Sequence, residues 1–416
     1  MLLRYLKKIF YNSVAELRKD TYLQSLIETG LTNNTDLQTA YLRVQEAEAV
    51  LLNSKLSYLP SVSLSPEGTL SSFNGAKPSK IYSLAASASW EIDIFGRVTN
   101  AKREAKAALE GSIAYSQAVQ TRLIAMIADS YYTLLMLDRQ LAINSETMES
   151  WEKSICAMEL LKQAGESNDA AVLQARANRL ALETTVWNTR QSIHEVENNL
   201  STVLGISPQQ IERGTLDGQQ FPDDASVGVP LQLLSDRPDV RQAELELARA
   251  FYVTNSARAA FYPKLVLGGS AGWTNNAGAV IVNPGAMLLS VVGSLTQPLF
   301  NKGTNIANLK IAKAQQEEAM LAFRQTLLDA GQEVNDALTQ WQMADHRIDL
   351  GNRQVESLQE AVCKTELLMR YSSTNYLEVL TAQQALLSAQ LTLTQNRFDK
   401  IQGVINLYHA LGGGSK

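Results

Sequence analysis

The side chains able to do chemistry are few in this sequence and stand apart. Its three histidines, His194, His346 and His409, lie on separate helical patterns without the short spacing that brings ligands to one metal ion. No Gly-rich phosphate loop follows a strand pattern and no nucleophile elbow occurs. The carboxylates read as solvated helix faces rather than general acid/base pairs. Cys156 and Cys363 sit inside helical patterns and are expected to be buried free thiols rather than a bridge. Neither an enzyme nor a cofactor or metal is therefore expected. A net charge of −5 gives no basic face for nucleic acid, and no run of about 18 apolar residues offers a transmembrane helix.

The elements that position these residues occur twice. "TDLQTAYLRVQEAEAVLLNSKLSYLP" holds Asp36, Ala40, Leu42 and Pro60, which match Asp239, Ala243, Leu245 and Pro263 at an offset of 203 (239 − 36 = 203). "IFGRVTN" (94–100) matches "LFNKGTN" (299–305) at 205 (299 − 94 = 205), and Cys156 matches Cys363 at 207 (363 − 156 = 207). So steady an offset indicates a tandem duplication. Repeat 1 is expected over 22–205, with a strand hairpin over 61–95, a long helix over 98–164 and a last helix over 169–204. Repeat 2 is expected over 235–412, with a hairpin over 264–300 and helices over 304–371 and 375–411. A linker over 206–234 joins them, an atypical segment fills 1–21, and 413–416 is a tail.

Each repeat opens with a helix that Pro60 or Pro263 stops, since proline lacks an amide hydrogen and disfavours helix in the residue before it. The long helices, about 100 Å each at 1.5 Å per residue, carry heptad spacing. In repeat 1 it runs from Leu123 and Ile127 to Trp151, Ile155 and Met158. In repeat 2 it is read at Leu338, Trp341, Asp345, Ile348, Asn352 and Val355, with Trp151 and Trp341 packed in the seams. The second strand alternates Tyr82, Leu84, Ala86, Ala88, Trp90 and Ile92 against Ser83, Ser87, Ser89 and Glu91. Four strands are too few for a barrel, but twelve from three chains would close one and remove every edge. A small soluble sheet capping a helical bundle is the alternative, and periodicity alone does not separate the two.

Several stretches, in order, resemble the TolC-like outer-membrane efflux proteins, in the lipoprotein branch serving resistance-nodulation-division pumps. They are "WEIDIFGR" (90–97), "LLSDRPDVRQAE" (233–244), "FYPKL" (261–265), "QPLFNKG" (297–303), "MRYSSTNYLEVLTAQ" (369–383) and "LYHALGGG" (407–414). The resemblance implies a mainly α fold with a membrane β-barrel portion: a homotrimer whose twelve strands form the barrel and whose twelve helices form a periplasmic tunnel. It implies a passive exit duct in the outer membrane of a Gram-negative bacterium, working with a periplasmic adaptor, an inner-membrane transporter and outer-membrane lipid. A type I secretion duct, or a coiled-coil structural protein with a sheet cap, is the alternative function. The junctions at Pro60, Pro263, Phe95, Gly96, Pro298 and Phe300 would then mark the inner membrane surface, with Trp90 and Trp273 as interface aromatics. Leu267, read as near mid-strand, would face lipid.

The tip of repeat 2 carries Arg370, Tyr371, Leu377 and Glu378 where repeat 1 has Gln163, Ala164, Ala170 and Ala171. By resemblance this tip is the periplasmic gate. Many relatives place an Asp at the position of Thr381 to pair with the arginine matching Arg370; here Glu378 is the substitute. The N-terminus departs from the family pattern. Lys7 and Lys8 interrupt any signal-peptide core, no Cys precedes Cys156, and a truncated or misassigned start is the expectation.

Overall fold

Both helices that feed a strand end in the same three steps. The computed structural model describes residues 20–72, 74–75, 77–163, 169–218, 237–274, 287–371 and 376–413. Helix α1 (Thr21–Asn33) and α2 (Thr35–Leu56) precede β1 (Ser61–Ser71) and β2 (Ser79–Ile92). The long α3 (Arg97–Gln163) and α4 (Asp169–Val203) complete repeat 1. Repeat 2 runs α5 (Pro238–Ala259), β3 (Lys264–Thr274), β4 (Met287–Thr296), α6 (Thr304–Tyr371) and α7 (Tyr376–Ala410). After α2 the amide of Ser57 still reaches Asn53 O, four residues back, but Leu59 reaches only Leu56 O; after α5, Ala260 and Tyr262 do the same to Ser256 O and Ala259 O. The helix tightens, and then Pro60 or Pro263 has no amide to continue it. Residues 1–19 of the expected N-terminal segment, the loop 275–286, the turns 165–168 and 372–375 and most of the linker lie outside the described residues.

The return from sheet to helix is also duplicated. Gly96 (φ 77°) and Gly303 (φ 79°) take the left-handed conformation that glycine adopts without strain, one residue before α3 and α6 begin. Their offset is 207 (303 − 96 = 207), two more than the letter match of "IFGRVTN" to "LFNKGTN" suggested. The backbone, not the shared Phe and Asn, defines the equivalence.

The described residues form two compact units. One comprises Ala40–Tyr115 and Asp239–Thr326 and contains the sheet. Its four strands form one antiparallel sheet in the order β1-β2-β3-β4, so the two hairpins are joined through β2 and β3 rather than standing separately.

The other unit takes in chain up to Thr39, Ser116–Pro238 and from Leu327 on. Its core gathers Leu23, Leu37, Ile127, Tyr131, Leu134, Leu200 and Leu204, each at most 1% exposed. The repeat 1 seam is as expected, with Leu123, Ile127, Leu134, Trp151, Ile155 and Met158 buried. The repeat 2 seam is not. Val334, Ala337, Trp341 and Ala344 are buried, while Asp345 and Asn352 are exposed and Leu338 only half-buried. One column of the expected register is thus displaced by one residue onto Ala337, Ala344 and Gly351. Small residues win because α7 approaches closely there: a Cβ on Gly403 would lie 3.0 Å from Trp341 N, and one on Gly351 would lie 3.1 Å from Leu393 Cδ1. The cysteines also correct the reading. Cys156 and Cys363 are free but exposed, because each follows a seam-side residue (Ile155, Val362) by about 100° around its helix.

The C-termini of α4 and α7 are capped by repeat-equivalent side chains of different chemistry. Asn34 Nδ2 donates to Val203 O at 2.8 Å, and Arg237 Nη1 donates to Ala410 O at 3.0 Å. These are matched positions (34 + 203 = 237; 203 + 207 = 410). Arg237 is 2% exposed and also donates to Glu333 at 2.7 Å. Arg237→Met should preserve most of the packed volume yet lower the unfolding free energy by about 1.5–3 kcal/mol, the contribution of hydrogen bonds from a charged donor. Chemical denaturation of the two proteins checks this.

Candidate functional site

Cross-strand partners lie on the same face of a sheet, so the register sorts every strand residue to one side. One face carries Val62, Leu64 and Leu70 of β1, and Tyr82, Leu84, Ala86, Ala88, Trp90 and Ile92 of β2. It continues with Leu265, Leu267, Ala271 and Trp273 of β3, then Leu289, Val291 and Leu295 of β4. The other carries Ser61, Ser63, Ser65, Glu67 and Thr69; Ser83, Ser87, Ser89 and Glu91; Lys264, Ser270 and Gly272; and Ser290, Ser294 and Thr296. The apolar face is not covered within the chain: Val62 is 74% exposed, Val291 79% and Leu295 68%. The weak alternation of β4 in the sequence resolves here, with Val292 and Gly293 the residues that blur it.

The two expected interface aromatics sit at opposite ends of this face. Trp90 faces Leu267 near the helix-side end, and Trp273 faces Leu84 near the loop-side end. Six residues of β3 separate the two levels (273 − 267 = 6), about 20 Å of strand. Leu267 is therefore not mid-strand; that height belongs to Gly269, flanked by Ala88 and Val291.

The junction between helices and sheet is held by a polar network that the sequence pattern did not single out. Trp90 Nε1 donates to Tyr58 O at 2.9 Å, and Tyr58 Oη donates to Thr99 Oγ1 at 2.9 Å. Thr99 Oγ1 in turn donates to Asp93 Oδ2 at 2.6 Å, and Asp93 also accepts the amides of Val98 and Thr99, which caps α3. Burial pushes the Asp93 carboxyl up, but the bonds from Thr99, Val98 and Arg97 outweigh it and hold it below the usual carboxylate range. The cap's contribution is thus present above about pH 4 and is lost as pH falls further. Glu91 takes a bidentate pair from Arg97 (2.6 and 2.5 Å) and a second cation, Lys264, at 2.9 Å. Phe95 stacks on Tyr262 with centroids 4.9 Å apart, while Phe300 stays 87% exposed. Pro60 and Pro263 directly precede β1 and β3, and Pro298 lies two residues after β4.

A second polar centre lies in the other unit. Arg213 donates in bidentate fashion to Asp138 (2.5 and 3.0 Å) and to Glu197 at 2.5 Å. Asp138 and Glu197 keep the guanidinium protonated against the cost of burial. A cavity of about 490 Å³ opens beside them, lined among others by Arg190, His194 and Gln209. Nothing in the sequence pattern marked Arg213, because its partners lie 75 and 16 residues away.

At the hairpin ends the two repeats differ. Three ion pairs staple α3 to α4 close to their turn: Lys162–Asp169 at 2.5 Å, Arg176–Glu159 and Arg179–Glu152. Among the described residues, the ion pairs joining α6 to α7 are Lys400–Asp345 and Arg347–Asp399, about seven helical turns from the end of α6. Near that end Gln383 donates to Glu366 at 3.1 Å, and Leu380 and Met369 pack with Ile155, Met158 and Val172. Leu377 is 58% exposed and Glu378 is exposed in the first turn of α7. Thr381 spends its hydroxyl on Leu377 O at 2.7 Å. The side chains of Arg370 and Tyr371 lie outside the described residues.

Among the described residues no group of three His, Cys, Asp or Glu side chains is placed to hold a metal, and no helix is long and apolar enough to cross a membrane. The sequence profile of the outer membrane efflux proteins matches residues 26–206 and 229–413. The pyoverdine export outer membrane protein OpmQ of Pseudomonas putida (strain KT2440) is 31% identical over 406 residues, covering 94% of this chain and 86% of its own. The cation efflux system protein CusC of Escherichia coli (strain K12) is 29% identical over 405 residues, covering 95% and 87%. Among solved structures, a crystal structure of CusC superposes with a TM-score of 0.89 at 28% identity, covering 95% of this chain and 92% of that one.

Proposed function

Because the chain belongs to the outer membrane efflux protein family, we propose that three copies close one twelve-stranded barrel and act with a periplasmic adaptor and an inner-membrane resistance-nodulation-division transporter. The protein is an outer-membrane efflux channel of a tripartite pump, not an enzyme; it resides in the outer membrane of a Gram-negative bacterium and extends into the periplasm. The observation that carries the trimer is the sheet. It has two open edges, an uncovered apolar face of lipid-spanning height and an opposite face in which Ser, Gly and Thr predominate over a few apolar residues (Ile81, Val266, Val292), suited to a wet lumen. Three such sheets have twelve strands, enough to close. Trp90 and Trp273 then occupy the two membrane interfaces, where amphipathic aromatic rings are favoured. Mass measurement in detergent tests this: a trimer is expected, and a stable monomer or dimer would refute it.

The duct conducts passively, and its relatives are named for substrates as unlike as cations, pyoverdine and toluene. The gate is assigned to the α6–α7 tip, with Arg370, Tyr371, Leu377, Glu378 and Thr381 as its residues. The support is an asymmetry among the described residues: three ion pairs join α3 to α4 close to their turn, whereas those joining α6 to α7 lie about seven helical turns from the end of α6. Thr381 carries no charge and its hydroxyl is bonded within its own helix, and the exposed Glu378 is the acidic residue assigned to pair with Arg370. Arg370→Ser with Tyr371→Phe should raise single-channel conductance in a bilayer, and Glu378→Ala should weaken cation selectivity. No change in either quantity would remove the gate from this tip while leaving the duct in place.

A further inference from the structure

The four strands carry four charged side chains, Glu67, Lys80, Glu91 and Lys264. Lys80 faces Leu70 on the apolar side, at the loop end of β2. The other three share the polar side, with Glu67 opposite Ser83, Glu91 opposite Val266 and Lys264 opposite Thr296. Two of these cancel at the helix-side end. Glu91 takes Lys264 at 2.9 Å and both bonds from Arg97, which also lies in the field of Asp93. Counting Glu91, Asp93, Arg97 and Lys264, that collar sums to zero (−2 + 2 = 0).

Glu67 stands apart from it. It is the seventh of the eleven residues of β1, about 20 Å of strand beyond Ser61. It is exposed, and among the described residues its side chain makes no ion pair or hydrogen bond. Strand propensity does not call for it, because glutamate is depleted in strands. The remaining polar-side positions of β1, Ser61, Ser63, Ser65, Thr69 and Ser71, all carry hydroxyls.

The duplication shows that pairing does not call for it either. Ser61 faces Ser89 and Lys264 faces Thr296, so the first strands of the two hairpins differ by 203 (264 − 61 = 203) and the second by 207 (296 − 89 = 207). The pair Glu67–Ser83 therefore corresponds to Ser270–Ser290 (67 + 203 = 270; 83 + 207 = 290), and these two are partners in β3 and β4. Repeat 2 builds the same pair from two serines. The carboxylate is thus an addition of repeat 1 that the sheet does not need.

Resting on the duct and the trimer proposed above, we infer that Glu67 sets the ion preference of the barrel, as a second selectivity element separate from the gate. Three copies place three uncompensated carboxylates on the wall of a lumen whose other described strand charges cancel. Fixed negative charge on a wall concentrates cations beside it and depletes anions. Its reach is the Debye length, about 10 Å at 0.1 M salt and about 3 Å at 1 M. The preference is accordingly graded: metal cations and protonated amines pass more readily than anions of similar size in dilute salt, and the advantage fades in concentrated salt.

Reversal potentials in a planar bilayer under a KCl gradient test this. Glu67→Ser, which copies the pair of repeat 2, should move the reversal potential toward zero in dilute KCl while leaving the yield of assembled protein unchanged. The shift should shrink in concentrated KCl. It should persist in a Glu378→Ala background, because Glu67 and Glu378 belong to different units of the chain. Ser83→Lys, which sets a cation directly opposite Glu67, should act in the same direction. Glu67→Ser with Ser83→Glu, which returns a carboxylate to the facing position, should restore the original preference. Conducting channels whose reversal potential is the same with and without Glu67 in dilute salt would overturn its role and leave the duct standing. So would a shift that Ser83→Glu does not reverse, since the effect would then lie in the strand rather than in the charge. No conductance from any of these proteins, the native chain included, would overturn the duct and the role of Glu67 with it.

Discussion

Arg213→Ala is expected to lower stability by about 3–5 kcal/mol, the range for removing one member of a buried ion pair. The loss comes from the group left behind. Glu197 has a side chain only 5% exposed, and its carboxylate would lose the 2.5 Å partner that now compensates it. Asp138 matters less, because at 37% exposure it can turn to water. His194 Nδ1 lies 3.4 Å from the other Glu197 oxygen, but at 78% exposure it cannot replace a buried guanidinium. The origin of the deficit is checked by a second variant. Arg213→Ala with Glu197→Gln should regain a large part of the stability, since the orphaned charge is gone. Equal midpoints for the single and double variants in detergent denaturation would place the loss in packing instead.

Val291→Arg should cost about 2–4 kcal/mol and sharply reduce the yield of assembled protein in membranes, because an arginine at mid-height of the apolar face meets hydrocarbon. Val291 faces Gly269, the sixth residue of the eleven in β3, and is 79% exposed in the single chain. Two comparisons give the result its meaning. Val292→Arg, one residue on and on the opposite face, should be tolerated because it points into water. Leu267→Arg should fall between them, since Leu267 lies level with Trp90 and an arginine there can reach the interface. Equal assembly of all three variants would mean that neither face meets lipid.

The junctions were legible in the letters for a local reason. Pro60 and Pro263 remove an amide at the same point of each repeat, and no tertiary contact can restore it. The strand hairpins were visible as alternation, but their union into one sheet depended on β2 meeting β3, a pairing across 175 residues at Glu91 and Val266 (266 − 91 = 175) that no local signal encodes. The residues proposed for the gate stand out in the letters as a difference between two copies of one tip. What holds the first tip closed, the pairs Arg176–Glu159 and Arg179–Glu152, required the fold to bring α3 and α4 together.

The sequence by itself determined the duplication and the order of the long helices and strands, though not the short α1 that precedes α2. These are properties of periodicity and of residues that force the backbone, so they survive without a partner. Only the tertiary structure decided the rest. It displaced one column of the repeat 2 seam onto Ala337, Ala344 and Gly351, because the close approach of Gly403 to Trp341 rewards small residues over heptad regularity. It exposed Cys156 and Cys363, moved Leu267 from mid-height to the level of Trp90, and assembled Arg213 with Asp138 and Glu197. Each of these depends on which element lies alongside which, and a chain read one residue at a time carries no record of its neighbours in space.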